Sequence, residues 1–310
     1  MKWESYGLIF KTADYGIDFA KSPQAIVLKD CIRIYFSACR QDNSKLISYV
    51  CFVDFDKSFT RILRFSDAVL PAGKLGCFDE HGIFPFSPVQ VGDRIYAYTT
   101  GWSRRSSVSV ETGIGLAISK DQGETFSKQG DGPVLTASLH EPFLVADGYV
   151  KKVGGFFYMW YIYGTDWKVF EPDKEPDRVY KIGCATSGDG VQWEKGGRQI
   201  VPDLIEDESQ ALPSILSCKN QHHMIFCYRN SYDFRTNPER SYRLGYAYSN
   251  DLENWVRKDS ELGFVLSKDG FDNEMQCYPC WVSVGEKNYL LYNGNRFGKA
   301  GFGLAELKEM

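Results

Sequence analysis

Acidic residues stand at a recurring distance before prolines along this chain. Four of them precede a proline by five residues, namely Asp18, Glu80, Glu208 and Glu274. A fifth proline, Pro142, carries its acid directly before it, at Glu141. Carboxyl groups held near one another can divide acid and base roles, because one stays protonated and donates while the other accepts a proton or attacks. We predict Glu208 and Glu274 as acids and Asp18 or Glu80 as the base, so these four are the candidate catalytic residues.

A second set of residues follows the apolar run downstream of each proline. Every repeat contributes a cation to this set, which contains Arg40, Trp102, Arg104, Arg105, Trp167, Lys168, Arg229, Asn230, Asn295 and Arg296. Aromatic rings match the apolar face of a sugar, and guanidinium groups match carboxylate or phosphate. We therefore expect a small-molecule or oligosaccharide substrate, polar and anionic. The predicted substrate-binding residues are Trp102, Arg104, Trp167, Lys168, Arg229, Asn295 and Arg296, with Asp79, His81, His140 and Glu141 beside the acids. Alternatively, the cations only balance the acids as salt bridges around a polar channel.

Apolar runs with a period of two separate the polar sets and predict β-strands. The second strands of four repeats read IRIYFSA, RIYAYTT, HMIFCYR and NYLLYNG. A further pattern, Gly-x-Ala-x-Ser-x-Asp followed by Phe or Trp, begins at Gly115, Gly183 and Gly245. Its Ser-x-Asp part can bond to turn backbone before the next strand. The five prolines are 62, 57, 71 and 66 residues apart, which suits a four-stranded blade with its loops.

Five such units predict an all-β fold, a five-bladed β-propeller of four-stranded antiparallel blades. We expect a single domain over residues 1–310, with blades that start near Pro23, Pro85, Pro142, Pro213 and Pro279. The N-terminal segment KWESYGLIF would complete the last blade, whose C-terminal repeat is truncated at Gly303-Leu-Ala305. In such a blade the start of the first strand and the loop after the second strand open on one face. The two polar sets should therefore meet in a funnel on the axis.

The strand starts, above all His140-Glu141-Pro142-Phe143-Leu144, resemble those of the five-bladed propeller superfamily that contains glycoside hydrolase families 32, 43, 68 and 130. The resemblance covers nearly the whole chain. It implies cleavage or transfer of glycosides in the funnel by a carboxylate pair, without a cofactor. The chain diverges from the strand-start pattern of that superfamily at two places. Ser22-Pro23 stands where Asp-Pro is expected in the first blade, and Ala211 stands where a Glu is expected two residues before Pro213. Two alternatives are a non-catalytic sugar-binding propeller of polysaccharide biosynthesis and a family-130-like phosphorylase that uses the cations for inorganic phosphate.

Charge and composition narrow the partners and the compartment. The 310 residues include 36 basic and 40 acidic ones, and this net charge of -4 disfavours a nucleic-acid or anionic-membrane partner. The longest apolar run, GFFYMWYIYG, is about half of a membrane span, and MKWESYGLIF lacks the features of a signal peptide, so we expect a cytoplasmic protein. The nine cysteines are odd in number and scattered, which favours free thiols. The Cys277-x-x-Cys280 pair fits strand spacing, and no residue spacing predicts a metal site.

Overall fold

The computed structural model describes residues 1–42, 45–67, 69–218 and 221–310. In these residues, twenty strands form five sheets of four strands each. The strand β1 (Lys2–Lys11) belongs to the last sheet. Blade 1 contains β2 (Asp18–Val27), β3 (Ile32–Asp42), β4 (Lys45–Phe55) and β5 (Ile62–Ser66). Blade 2 contains β6 (Ile83–Val91), β7 (Arg94–Arg104), β8 (Val110–Ser119) and β9 (Ser127–Lys128).

The remaining blades follow the same order. Blade 3 contains β10 (Val145–Val153), β11 (Phe156–Lys168), β12 (Asp177–Ser187) and β13 (Glu194–Lys195). Blade 4 contains β14 (Glu208–Cys218), β15 (Gln221–Asn230), β16 (Arg243–Ser249) and β17 (Val256–Arg257). Blade 5 contains β18 (Cys277–Val284), β19 (Lys287–Asn293) and β20 (Gly301–Glu309), with β1 as its fourth strand. All strand pairs are antiparallel, so the predicted all-β five-bladed propeller of four-stranded blades is confirmed.

The N-terminal strand β1 closes the ring of blades. It pairs with β20 from Lys2 opposite Glu309 to Lys11 opposite Gly301. Phe10 is fully buried there, and its ring lies 5.0 Å from the ring of Phe302 in blade 5 and 5.0 Å from that of Phe36 in blade 1. The first and last parts of the chain therefore share one core cluster.

A bulge occurs at the same place in the first strand of every blade. The bulged residue pairs are Ser22-Pro23, Phe84-Pro85, Asp147-Gly148, Leu212-Pro213 and Tyr278-Pro279. Each pair interrupts the register with the second strand, where a bulge bends the strand and re-aims a side chain. Proline suits a bulge because it has no N–H to offer the ladder.

The third blade, predicted to start near Pro142, has no proline at its bulge. Its first strand begins at Val145, and the bulge position that the other blades give to proline is held by Gly148. The bulges then recur after 62, 63, 65 and 66 residues, a more regular spacing than that of the five prolines chosen from the sequence. Glycine can take this place because the extra residue of a bulge is left unpaired in the ladder, so no particular side chain is required there.

The predicted Ser-x-Asp turns are present between the third and fourth strands. In blade 3 the Ser187 hydroxyl donates to Asp189 at 3.0 Å, and Asp189 accepts from the backbone N–H of Val191 at 2.8 Å. All nine cysteines are free thiols. In the described ranges, no group of three or more His, Cys, Asp or Glu side chains could hold a metal ion. Nor does any helix there have the length and apolar character needed to cross a bilayer.

Candidate functional site

A cavity opens where the bulged first strands of the blades meet. Its deep part has a volume of about 50 Å³ and its mouth about 380 Å³, and the two share the lining residues Phe84, Trp102, Arg178, Tyr180, Tyr242 and Tyr278. We call the two parts together the axial funnel. All five blades contribute, through Lys21 in blade 1, Phe84 and Trp102 in blade 2, Asp147 and Arg178 in blade 3, Arg229 in blade 4 and Tyr278 in blade 5.

Asp147 brings a carboxyl group into the deep part of the funnel. It is the first residue of the blade 3 bulge and has a positive φ of 57°, as Ser22, Leu212 and Tyr278 do at the same position. Its backbone N–H donates to the Thr100 hydroxyl at 2.8 Å. Among the described residues that line the funnel, Asp147 is the single carboxylate.

The carboxyl group of Asp147 is held away from water. Asp147 is 6% exposed, and this burial raises the pKa of its carboxyl group to about 7. A hydrogen bond from the backbone N–H of Leu212 and the positive charge of Arg178 oppose the rise in this pKa. Near neutral pH a substantial fraction of the group is therefore protonated and can donate.

Four cations line the mouth of the funnel and rest on aromatic rings. We call them the cationic wall, which consists of Lys21, Arg178, Arg229 and Arg235. The distances from cation to ring centroid are 4.3 Å for Lys21 over Phe19, 5.2 Å for Arg178 over Trp102, 3.5 Å for Arg229 over Phe234 and 4.2 Å for Arg235 over Phe234. An aromatic face attracts a cation without neutralising its charge.

Arg229 is the most enclosed member of the cationic wall. It is 1% exposed, and its Nη2 donates to the Tyr180 hydroxyl at 3.1 Å while its Nη1 donates to the Asn230 carbonyl at 2.9 Å. The hydroxyls of Tyr180 and Tyr242 lie 2.8 Å apart. The Nε atom of Arg229 is buried and has no hydrogen-bond partner in the described structure.

Three of the predicted acids belong to ion pairs inside single blades. The pairs are Asp79–Lys128 at 2.5 Å, Glu141–Lys195 at 2.6 Å and Glu208–Arg257 at 2.6 Å, and each joins the start of a blade to its fourth strand. We call these pairs the blade clamps. Their acids are at most 2% exposed. The three cations were not predicted from the sequence, although each stands two residues after the Phe or Trp of the repeat, in Phe126-x-Lys128, Trp193-x-Lys195 and Trp255-x-Arg257.

The other predicted catalytic acids lie outside the funnel lining. Asp18 is exposed and pairs with Lys299 at 2.6 Å. Glu80 accepts from the backbone N–H of Gly76 at 2.8 Å and lies 3.4 Å from Nδ1 of His81. Glu274 is exposed. None of the cavities described is lined by these carboxyl groups together with Glu208, which the Glu208–Arg257 clamp holds inside blade 4.

The predicted substrate-binding residues divide into two groups. Trp102 and Arg229 line the funnel. The others lie outside its lining. Arg104, His140 and Arg296 are exposed, and Lys168 forms an ion pair with Asp207. Trp167 packs on the core, and Asn295 accepts from the backbone N–H of Glu274 at 2.9 Å. Seven further lining residues were not predicted from the sequence, namely Lys21, Asp147, Arg178, Tyr180, Arg235, Tyr242 and Tyr278. Asp147 could have been identified from the near-regular spacing of 62 to 66 residues, which places Gly148 between Pro85 and Pro213.

No known family model matches this chain. Two uncharacterized proteins of Mycobacterium tuberculosis, MT1551 of strain CDC 1551 and Rv1502 of strain H37Rv, are each 31% identical to it over 314 aligned residues, which cover 99% of this chain and 100% of each relative. The chain belongs to their family. It spans the full length of both relatives, so the family is defined over the whole propeller.

Several solved structures that superimpose on this chain are glycoside hydrolases of low sequence identity to it. One glycoside hydrolase superimposes with a TM-score of 0.76 at 16% identity, covering 99% of this chain and 92% of that one. A thermostable family-43 glycoside hydrolase gives 0.69 at 13% identity, with coverages of 95% and 91%. The family-32 beta-fructofuranosidase BmSUC1 of Bombyx mori gives 0.63 at 16% identity, with coverages of 94% and 60%. The chain is thus a divergent member of the five-bladed fold seen in families 43 and 32, as the resemblance in the sequence implied.

Proposed function

We propose that this protein is a carbohydrate-active enzyme that binds a sugar in the axial funnel and uses Asp147 to protonate the glycosidic oxygen. The carrying observation is one buried carboxyl group at an axial bulge, with a pKa of about 7. The glycoside hydrolase-like fold supports a sugar as the substrate class. A general acid works best when its pKa lies near the working pH, and burial is how glycosidases keep a carboxylic acid protonated.

The mouth of the funnel, next to the deep part that holds Asp147, has the room and the residues that suit a sugar ring. Phe84, Trp102 and Tyr278 provide aromatic surface, and the hydroxyls of Tyr180 and Tyr242 can exchange hydrogen bonds with sugar hydroxyls. The described funnel lining offers no second carboxylate for a covalent glycosyl-enzyme. The attacking group in this proposal is therefore an anion bound by the cationic wall, which needs no base, or water that releases its proton to solvent. Its oxygen bonds to the anomeric carbon as the glycosidic bond breaks and the leaving oxygen takes the proton of Asp147, and this single displacement would invert the anomeric centre.

A panel of aryl glycosides, assayed with and without inorganic phosphate, tests the proposal. Asp147→Asn keeps the shape of the side chain but cannot donate the proton, so we expect turnover to fall by roughly 100- to 10,000-fold. Asp93→Asn, an exposed residue in the turn between β6 and β7, is the matched control and should leave turnover unchanged. Release of a sugar phosphate only when phosphate is present would identify a phosphorylase.

The same assay decides between Asp147 and the acids predicted from the sequence. Asp18→Asn, Glu80→Gln and Glu274→Gln belong in the same series, with folding checked by melting temperature. If one of these abolishes turnover while Asp147→Asn does not, the assignment of Asp147 is refuted and the carboxylate pair predicted from the sequence gains support.

A second candidate function is sugar binding without cleavage. The observation that favours it is the single carboxylate in the described funnel lining, because glycoside hydrolysis commonly uses two. Its signature would be measurable sugar affinity, the same in the native protein and in Asp147→Asn, with no turnover of any glycoside that binds.

A further inference from the structure

Three of the four members of the cationic wall lack the acidic partner that each cation of the blade clamps has. In the blade clamps, Lys128, Lys195 and Arg257 each lie within 2.6 Å of a carboxylate oxygen. Over the part of the chain that the structure describes, no carboxylate oxygen lies within 4.0 Å of Lys21, Arg178 or Arg229, and Arg235 reaches only Asp177, at 4.0 Å. Positive charge is therefore balanced inside the blades and left unbalanced in the funnel.

The unbalanced cations affect one another. Partial desolvation and the positive charges of Arg178 and Arg229 lower the pKa of Arg235, although its side chain is 57% exposed. Like charges that share a confined cavity repel, and an anion that enters the cavity relieves this repulsion. Asp147, the carboxyl group in the same funnel, is too often protonated near neutral pH to offset them.

Aromatic packing leaves polar groups of the cationic wall ready for a ligand. The guanidinium groups of Arg229 and Arg235 lie 3.5 Å and 4.2 Å from the ring centroid of Phe234, and such ring contacts do not use N–H donors. The buried Nε of Arg229 is one such unpartnered donor. Guanidinium groups recognise oxyanions through pairs of N–H donors.

We propose that the cationic wall is a phosphoryl-binding subsite of the axial funnel, which takes the phosphate of a phosphorylated sugar or a phosphate ion bound beside the sugar. A phosphate monoester carries roughly 1.5 to 2 negative charges and three acceptor oxygens, whereas a carboxylate carries one charge and two oxygens. Four cations, of which Arg235 alone has an acid as close as 4.0 Å, match the phosphate better. The mouth volume of about 380 Å³ is within the usual range for a small-molecule site. The sugar part of this inference rests on the proposed function.

Titration calorimetry at low ionic strength tests the subsite with four probes: inorganic phosphate, glucose 1-phosphate, glucuronate and glucose. At least one of the two phosphates should bind at least tenfold more tightly than glucuronate and glucose. Arg178→Ala and Arg235→Ala should each weaken phosphate binding by roughly 10- to 100-fold and change any glucose affinity less than twofold. The control is Arg94→Ala. Arg94 is exposed and begins β7, whereas Trp102 lies near the other end of that strand, so this substitution should change none of these affinities. These two test variants avoid the fully enclosed Arg229, whose removal can unfold the protein.

The outcomes separate this inference from the proposed function. Tighter binding of glucose 1-phosphate than of inorganic phosphate assigns the subsite to a phosphorylated sugar, and the reverse order assigns it to the free ion. Asp147→Asn should retain phosphate affinity. Phosphate binding without turnover of any glycoside would therefore support the subsite and refute the proposed enzyme activity. Turnover that depends on Asp147, together with no binding of either phosphate, would overturn the subsite alone. Equal losses in Arg94→Ala and Arg178→Ala would also overturn it.

Discussion

At the scale of single residues, the buried carboxyl of Asp147 should make folding stability depend on pH. Its pKa is about 7 in the folded protein and near 3.8 in the unfolded chain, so the unfolded state loses this proton first as pH rises. The contribution of Asp147 to stability therefore falls between about pH 4 and pH 7. Asp147→Asn cannot ionise, and we expect its free energy of unfolding relative to the native protein to increase by about 2–3 kcal/mol from pH 5 to pH 8.

Urea denaturation of both proteins at the two pH values measures this difference. Asp93→Asn, which is exposed, controls for the general effect of removing one negative charge. A stability difference between the native protein and Asp147→Asn that does not change with pH would show that the carboxyl of Asp147 titrates normally.

The same group sets the expected pH dependence of turnover. A general acid must be protonated, so kcat/KM should decline by tenfold per pH unit above a pKa of about 7. A profile measured from pH 5 to pH 9 on any glycoside that turns over checks this. A flat profile up to pH 9 would argue against Asp147 as the proton donor.

At the scale of elements, the blade clamps join the first part of a blade to its short fourth strand. In blade 2 the strand β9 has two residues, and Lys128 ties it to Asp79, which is 1% exposed. Lys128→Met removes the cation and leaves a buried carboxylate alone, so we expect a loss of about 3–5 kcal/mol in the free energy of unfolding at neutral pH. Chemical denaturation gives the value.

The matched control for this clamp lies in the same blade. Lys120→Met removes an exposed lysine and should change the free energy of unfolding by less than about 0.5 kcal/mol. Similar losses in the two variants would mean that the Asp79–Lys128 pair contributes nothing specific to blade 2.

At the scale of the whole molecule, the ring depends on contacts between its two ends. Phe10 is fully buried in the cluster that contains Phe302 and Phe36. Phe10→Ala should therefore lower the free energy of unfolding by about 3–5 kcal/mol, and the effect should appear in one cooperative transition of the whole propeller.

Thermal and chemical unfolding, monitored by tryptophan fluorescence and by circular dichroism, measures both the loss of stability and the number of transitions. Leu75→Ala, at a side chain that is 98% exposed, is the control and should unfold like the native protein. Two separate transitions in Phe10→Ala would show that the blades unfold independently and that closure is local to blade 5.

Sequence patterns were sufficient for the architecture because the signals for a blade are local. Alternation along IRIYFSA or RIYAYTT predicts a strand from its own residues, and the repeated Ser-x-Asp turn tells where the third strand ends. Recurrence of these short patterns predicted five blades. The N-terminal strand was also recognisable, since the last repeat lacked an outer strand and KWESYGLIF could supply one.

Only the tertiary structure decided which polar residues meet at the axis. The register of β10 with β11 places Asp147-Gly148 at the bulge where the other blades have proline. Because the sequence prediction relied on prolines, it took Pro142 as the corresponding residue of blade 3. Acids next to strand starts were visible in the sequence, but their partners came from strands about 50 residues away, as for Asp79 with Lys128. The cationic wall is built from blades 1, 3 and 4. Charge balance and burial depend on such distant neighbours, because desolvation and Coulomb energy follow separation in space and not along the chain.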